Sequence, residues 1–170
     1  FDVSSASFVD SFSISGQEIN PSGIAFSESG EKMFIVGFAG DDVNEYTLAT
    51  AFDVSSASFV DSFSISGQET EPTGIEFSKS GEKMFIVGTT GDDVNEYTLS
   101  VAWDVSSASF VDSFSVASQD TSPHDIAFSK SGEKMFIVGN AGNDINEYTL
   151  SVAFDVSSAS FVDSFSVASQ

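Results

Sequence analysis

One histidine and 26 acidic residues, set against five lysines and no cysteine or arginine, bound the chemistry open to this chain. His124 is the sole imidazole, and hydrolytic triads or zinc centres built on histidine need partners at spacings that are absent here. It reads as a hydrogen-bonding loop residue. Glu76 and Asp125 replace smaller residues of the neighbouring repeats and could in principle act as a general acid and base, at a separation the sequence does not give. Asp41, Asp42, Asn44 and Glu45 form an oxygen-rich turn, repeated as Asp92, Asp93, Asn95 and Glu96 and as Asn143, Asp144, Asn146 and Glu147. Calcium wants about six to eight oxygens, and this spacing is not that of an EF-hand loop, so turn chemistry is the expectation, with no metal and no cofactor.

The elements that carry these groups repeat. Phe1, Phe52, Trp103 and Phe154 each open the same phrase, FDVSSASFVDSFS with Trp in the third copy, so three 51-residue copies and part of a fourth fill the 170 residues. A period of this length marks an array of supersecondary units, none of which can bury its own faces alone.

In the second copy EPTGIEFS (Glu71–Ser78) alternates apolar and polar residues as a half-buried strand does, and SKSG (Ser78–Gly81) then supplies a tight turn. EKMFIVG (Glu82–Gly88) is a short apolar run suited to a strand covered on both faces. TTGDD (Thr89–Asp93) turns the chain, and VNEYTLS (Val94–Ser100) is rich in β-favouring residues. In the last copy Asp155 is placed to cap the Ser-rich turn, and FVDSFSV resumes the alternation as a fourth strand. The phenylalanines at 8, 12, 26 and 34, with their repeats, recur at strand spacing and are expected in the core.

A four-stranded antiparallel meander at this period is the signature of propeller blades. PSGIAFSESGEKMFIVG (Pro21–Gly37) resembles the strand, S-x-x-G turn and strand of bacterial β-propeller repeats, of which the WD-like, Y-V-T-N and NHL groups are the nearest in kind. The WD dipeptide is absent; Tyr97-Thr98 stands in its place. The resemblance implies an all-β propeller: an outer strand of a partial blade in 1–18, then blades at 19–69, 70–120 and 121–170. It transfers no catalytic residue.

Known propellers close with about four to eight blades, so an arc of three leaves apolar end faces to be covered. Two copies closing a six-bladed ring, or further repeats of a longer chain, would cover them. The outer-strand phrase stands at both ends, Phe1–Gln17 and Phe154–Gln170, and one copy is surplus; that, with a start in mid-phrase, points to a window from a longer chain.

Differences between copies gather before and into the first strand and in the second turn, which in a blade share one face of the disc. A constant scaffold presenting altered loops suits a non-enzymatic binding module for a glycan or protein. The candidate contacts are Asn20, Ser22, Phe38, Glu71, Thr73, Glu76, Thr89, Thr90, His124, Asp125, Asn140 and Asn143. A purely structural array of a surface or virion is the second expectation and a hydrolase the third.

The net charge of −21 repels phosphate backbones and anionic lipid, and no apolar run nears the about 18 to 20 residues of a membrane helix, so neither nucleic acid nor membrane insertion is expected. An extracellular or cell-surface site in a saline setting fits such a charge. Because salt screens self-repulsion, thermal unfolding should occur at higher temperature in about 1 M than in about 20 mM salt; an unchanged or lower midpoint would refute this.

Overall fold

The computed structural model describes residues 3–168. The chain forms three four-stranded antiparallel sheets: β1 to β4 (Pro21–Phe26, Lys32–Gly37, Asp42–Leu48, Ala57–Ser64), β5 to β8 (Pro72–Phe77, Lys83–Gly88, Asp93–Leu99, Ala108–Ser115) and β9 to β12 (Pro123–Phe128, Lys134–Gly139, Asp144–Leu150, Ala159–Ser166). Strand order within each sheet is sequence order. β1 lies beside β5 and β5 beside β9, which sets the three sheets as blades around their inner strands. The KMFIVG strands are buried on both faces in blades 1 and 2, as their unbroken apolar run predicts, and the outer strands are largely exposed.

The outer strand begins two residues earlier than its alternation suggests, at the Ala that closes a short 3-10 turn. Asp53, Asp104 and Asp155 each cap that turn by accepting the backbone N–H of Ser55, Ser106 and Ser157. The expected extra strand at the N-terminus does not form. Residues 6–13 carry the sequence of β4, β8 and β12 but have no β3-type strand beside them to supply a ladder. Phe8, expected in the core with its repeats, is 83% exposed, and Phe59, Phe110 and Phe161 stay 44%, 44% and 45% exposed even within their outer strands; Phe12 rests edge-on against Tyr46 as Phe63 does against Tyr97.

Each blade seam is a separate core. Blade 1 meets blade 2 through Phe34, Val36, Val43 and Ile65 against Ile75, Phe77, Met84 and Ile86, and the second seam repeats the pattern with Phe85, Val87 and Val94 against Ile126, Met135 and Ile137. The Phe34–Phe77 and Phe85–Phe128 rings stand 4.4 and 4.5 Å apart. A polar clamp crosses each seam. Lys32 Nζ meets Glu45 at 2.6 Å and donates to the carbonyl of Trp103 at 2.7 Å, while Glu45 accepts the Val105 N–H. Lys83, Glu96, the Phe154 carbonyl and the Val156 N–H repeat the arrangement.

The aromatic residue that opens each phrase has φ near +60° at Phe52, Trp103 and Phe154, a left-handed conformation that is strained in a bulky residue. Its ring lies where a side chain of the hairpin glycine would be: a Cβ on Gly30, itself at φ +74°, would fall 2.3 Å from the Phe52 ring. Gly30→Ala should therefore lose about 2 kcal/mol or more, through strain and displacement of the ring. Urea unfolding checks this, and a loss below about 0.5 kcal/mol would refute it.

Candidate functional site

A cavity of about 330 Å³ opens where the inner strands of all three blades end. Phe26, Phe77, Phe128, Trp103 and Phe154 supply its apolar wall, and Glu28, Glu76, Lys79 and Lys130 its charges. Its place follows from the repeat: the residues just after each inner strand turn together at one end of the arc, and the left-handed aromatics fold back onto that turn through bonds such as Trp103 N–H to Gly81 O.

Three repeat positions that are otherwise uniform change here. Position 76 is Glu where 25 and 127 are Ala; 79 and 130 are Lys where 28 is Glu; 103 is Trp where 52 and 154 are Phe. All the altered residues, Glu28 included, line the cavity. Burial raises the pKa of the Glu76 carboxyl above its ordinary 4.5; the Phe77 N–H, donating to Oε1 at 3.0 Å, opposes this, and the charge of Asp125 adds to it. Lys79 reaches Glu28 at 3.5 Å in an exposed pair, which a competing anion can break at little cost.

The structure divides the sequence-derived candidates between two ends of the molecule. Asn20, Phe38, Glu71, Thr89, Thr90 and Asn140 lie at the opposite end, where the entry to each inner strand meets the second turn: Phe38 N–H donates to Asn20 O, Thr89 N–H to Glu71 O and Asn140 N–H to Ser122 O. Thr89 and Glu71 bond to one another, as do Thr90 and Thr70. Ser22 and Thr73 stitch seams, donating to Pro72 O and Pro123 O at 2.5 and 2.9 Å. His124 is exposed at the equivalent position of blade 3, and Asn143 takes a left-handed φ of 51° in its turn. Asp125 stands where blades 1 and 2 have glycine, with Oδ1 at 2.9 Å from a Cβ built on Gly74. Glu76 does not join the variable loops. It stands near the far end of β5, because the strand runs from those loops toward the cavity.

Sequence reasoning missed Lys79, Lys130 and Trp103, although the break in the repeat at those positions was there to be used. It also missed Glu18, Glu69 and Asp120, buried carboxylates that accept backbone N–H groups from both loops of their blade. The oxygens of the D-D-x-N-E turn go elsewhere: Glu45 and Glu96 into the seam clamps, Asp42 and Asp93 to Asn44 and Asn95. Among the described residues no cluster of three histidine, aspartate or glutamate side chains is arranged to hold a metal ion.

Solved structures share the architecture. The chain matches a protein of Bacteroides uniformis assigned as a 6-phosphogluconolactonase (TM-score 0.62, 13% identity, 85% of this chain and 40% of that one). It also matches the periplasmic gluconolactonase of Pseudomonas aeruginosa (0.58, 12%, 85% and 38%) and the β-propeller domain of Cps50 (Swd1) from Myceliophteria thermophila (0.57, 14%, 87% and 43%). The fold is a β-propeller's. The chain spans about two fifths of the length of these structures. No protein-family model and no curated protein matches it, so the WD-like, Y-V-T-N and NHL groups are not distinguished.

The expectation of a non-enzymatic binding module does not stand beside these neighbours. Two carry the names of lactonases on this fold, so a propeller fold is no argument against hydrolysis.

Glu76 supplies a test of the site's electrostatics. A carboxyl whose folded pKa is raised contributes stability that is present below its unfolded pKa and lost as pH rises through the folded value. Glu76→Gln should match the parent at pH 3 and become the more stable of the two as pH climbs past 4.5. Unfolding midpoints measured across pH decide this; a gap independent of pH would refute it.

Proposed function

We propose that the chain hydrolyses a sugar lactone in the three-blade cavity. The observation that carries this reading is Glu76: a carboxyl of raised pKa that stands in an aromatic-walled cavity with two lysines and occurs in one repeat alone. A base with a pKa lifted toward neutrality removes a proton from water more effectively than an ordinary carboxylate. The lactonase names among the structural neighbours point to the same class of substrate.

In the reaction the Glu76 carboxylate takes a proton from water as the water oxygen adds to the lactone carbonyl carbon. The negative charge that develops on the carbonyl oxygen is favoured by the ammonium groups of Lys79 and Lys130. Collapse of the tetrahedral intermediate breaks the ring C–O bond, and the proton held by Glu76 passes to the departing ring oxygen. The product is the open hydroxy acid. Trp103 and the phenylalanines offer the ring an apolar surface and restrict water.

Rates should be measured against spontaneous opening on neutral and acidic sugar lactones. Glu76→Gln should lower kcat about 10²-fold or more, and Trp103→Ala should raise KM. No rate above the spontaneous one on any lactone, or full activity in Glu76→Gln, would overturn the reading.

A further inference from the structure

The face of blade 3 that no blade covers repeats the apolar pattern of the faces that blades 1 and 2 bury in their seams, with Ile145 for Val43 and Val94, and with His124 and Asp125 where those blades have Ser22 and Thr73 and Gly23 and Gly74. Val36 and Val43 are 0% exposed, as are Val87 and Val94, whereas their counterparts Val138 and Ile145 are 36% and 38% exposed; Phe165, the counterpart of the half-buried Phe63 and Phe114, is 65% exposed. The polar clamp is half made there too. Lys134 meets Glu147, but no following blade brings the carbonyl and the N–H that Lys32, Glu45, Lys83 and Glu96 find across their seams. His124 holds the position from which Ser22 and Thr73 donate to the next blade.

The complementary surface exists on the same chain. At blade 1 Ile24 is 54% and Phe52 61% exposed, in the places that Ile75 and Trp103 hold in the first seam. The carbonyl of Phe52 and the N–H of Val54 stand where Trp103 and Val105 meet the clamp of the preceding blade.

We propose that the open face of blade 3 docks onto blade 1 of a second copy, and that two copies close on one another through two such contacts. Each contact follows the plan of the seam this chain makes twice internally, apart from His124 and Asp125, with Lys134 donating to the Phe52 carbonyl of the other copy and Glu147 accepting its Val54 N–H. A head-to-tail contact of this kind leaves no open face only when it closes on itself, and two arcs are the smallest set that does so. The outer-strand position at each contact is filled once: residues 6–13 and β12 carry the same sequence, ASFVDSFS, and one displaces the other.

Light scattering over a dilution series of the 170-residue chain is the test, run in about 0.5 M salt so that two highly acidic copies do not repel one another at a distance. The expected particle holds two chains. Ile145→Lys places a charge in the new contact while leaving both internal seams intact, and it should weaken association at least about tenfold with the circular dichroism melt unchanged. Val111→Lys, on the exposed outer strand of blade 2, should associate as the parent does. A monomer at every concentration overturns the proposal, as does a dimer indifferent to Ile145→Lys. Open-ended polymers that Ile145→Lys disperses would overturn closure by two copies.

Discussion

The clamp formed by one lysine and one glutamate of blade 1, and again of blade 2, ties each of these blades to the next across long stretches of sequence. Lys83 reaches a carbonyl 71 residues away and Glu96 an N–H 60 residues away. Burying an ion pair by itself adds little to stability, since desolvation offsets most of the attraction. Here each partner also satisfies a backbone group of the next blade's 3-10 loop, which would otherwise lack a bond at the seam. That loop carries Trp103 or Phe154, so the clamp that joins two blades also sets the aromatic wall of the cavity.

The strongest sign that the blades depend on one another is a sequence that adopts two states. ASFVDSFS is a strand in β4, β8 and β12, where a β3-type neighbour supplies a ladder, and is no strand at residues 6–13, where none does. Local β propensity is identical in the four copies, so pairing and packing decide the outcome. Phe12 and Gln17 nonetheless hold the contacts to Tyr46 that Phe63 and Gln68 make to Tyr97. Side-chain packing across a seam thus survives without the strand, and the strand does not survive without the sheet.

Strands and turns were legible because they rest on short-range patterns: alternation in PTGIEF, an unbroken KMFIVG, and glycine at the hairpin. What is non-local was not. Nothing in the local pattern of Lys83 or Glu96 announces a partner in another blade. Glu18, Glu69 and Asp120 read as ordinary loop acids until the two loops they join are seen to meet. The variable loops drew attention because they vary most, yet much of that variation is occupied with holding the loops together, as Thr89 does with Glu71 and Thr73 with Pro123.

The cavity was marked by a different signal, and its logic is general for arrays of near-identical units. Where every copy must present the same faces to its neighbours, substitutions at seam positions are costly in each repeat, because each seam is close-packed and its polar groups are paired. Chemistry that needs one carboxylate, not three, must be placed where a single repeat can depart from the others without breaking a seam. Position 76 meets that condition: Glu76 is no member of the buried seam cluster that holds Ile75 and Phe77, it lines the cavity, and its blade-1 and blade-3 counterparts are alanines. Position 79 meets it as well, on the turn that overhangs the same space, whereas Trp103 keeps the seam contacts of the phenylalanine it replaces, packing on Phe34 and Phe77. At this end of the molecule the breaks in the repeat, at positions 76, 79 and 103 with their counterparts, meet in one cavity because the ends of the inner strands converge there.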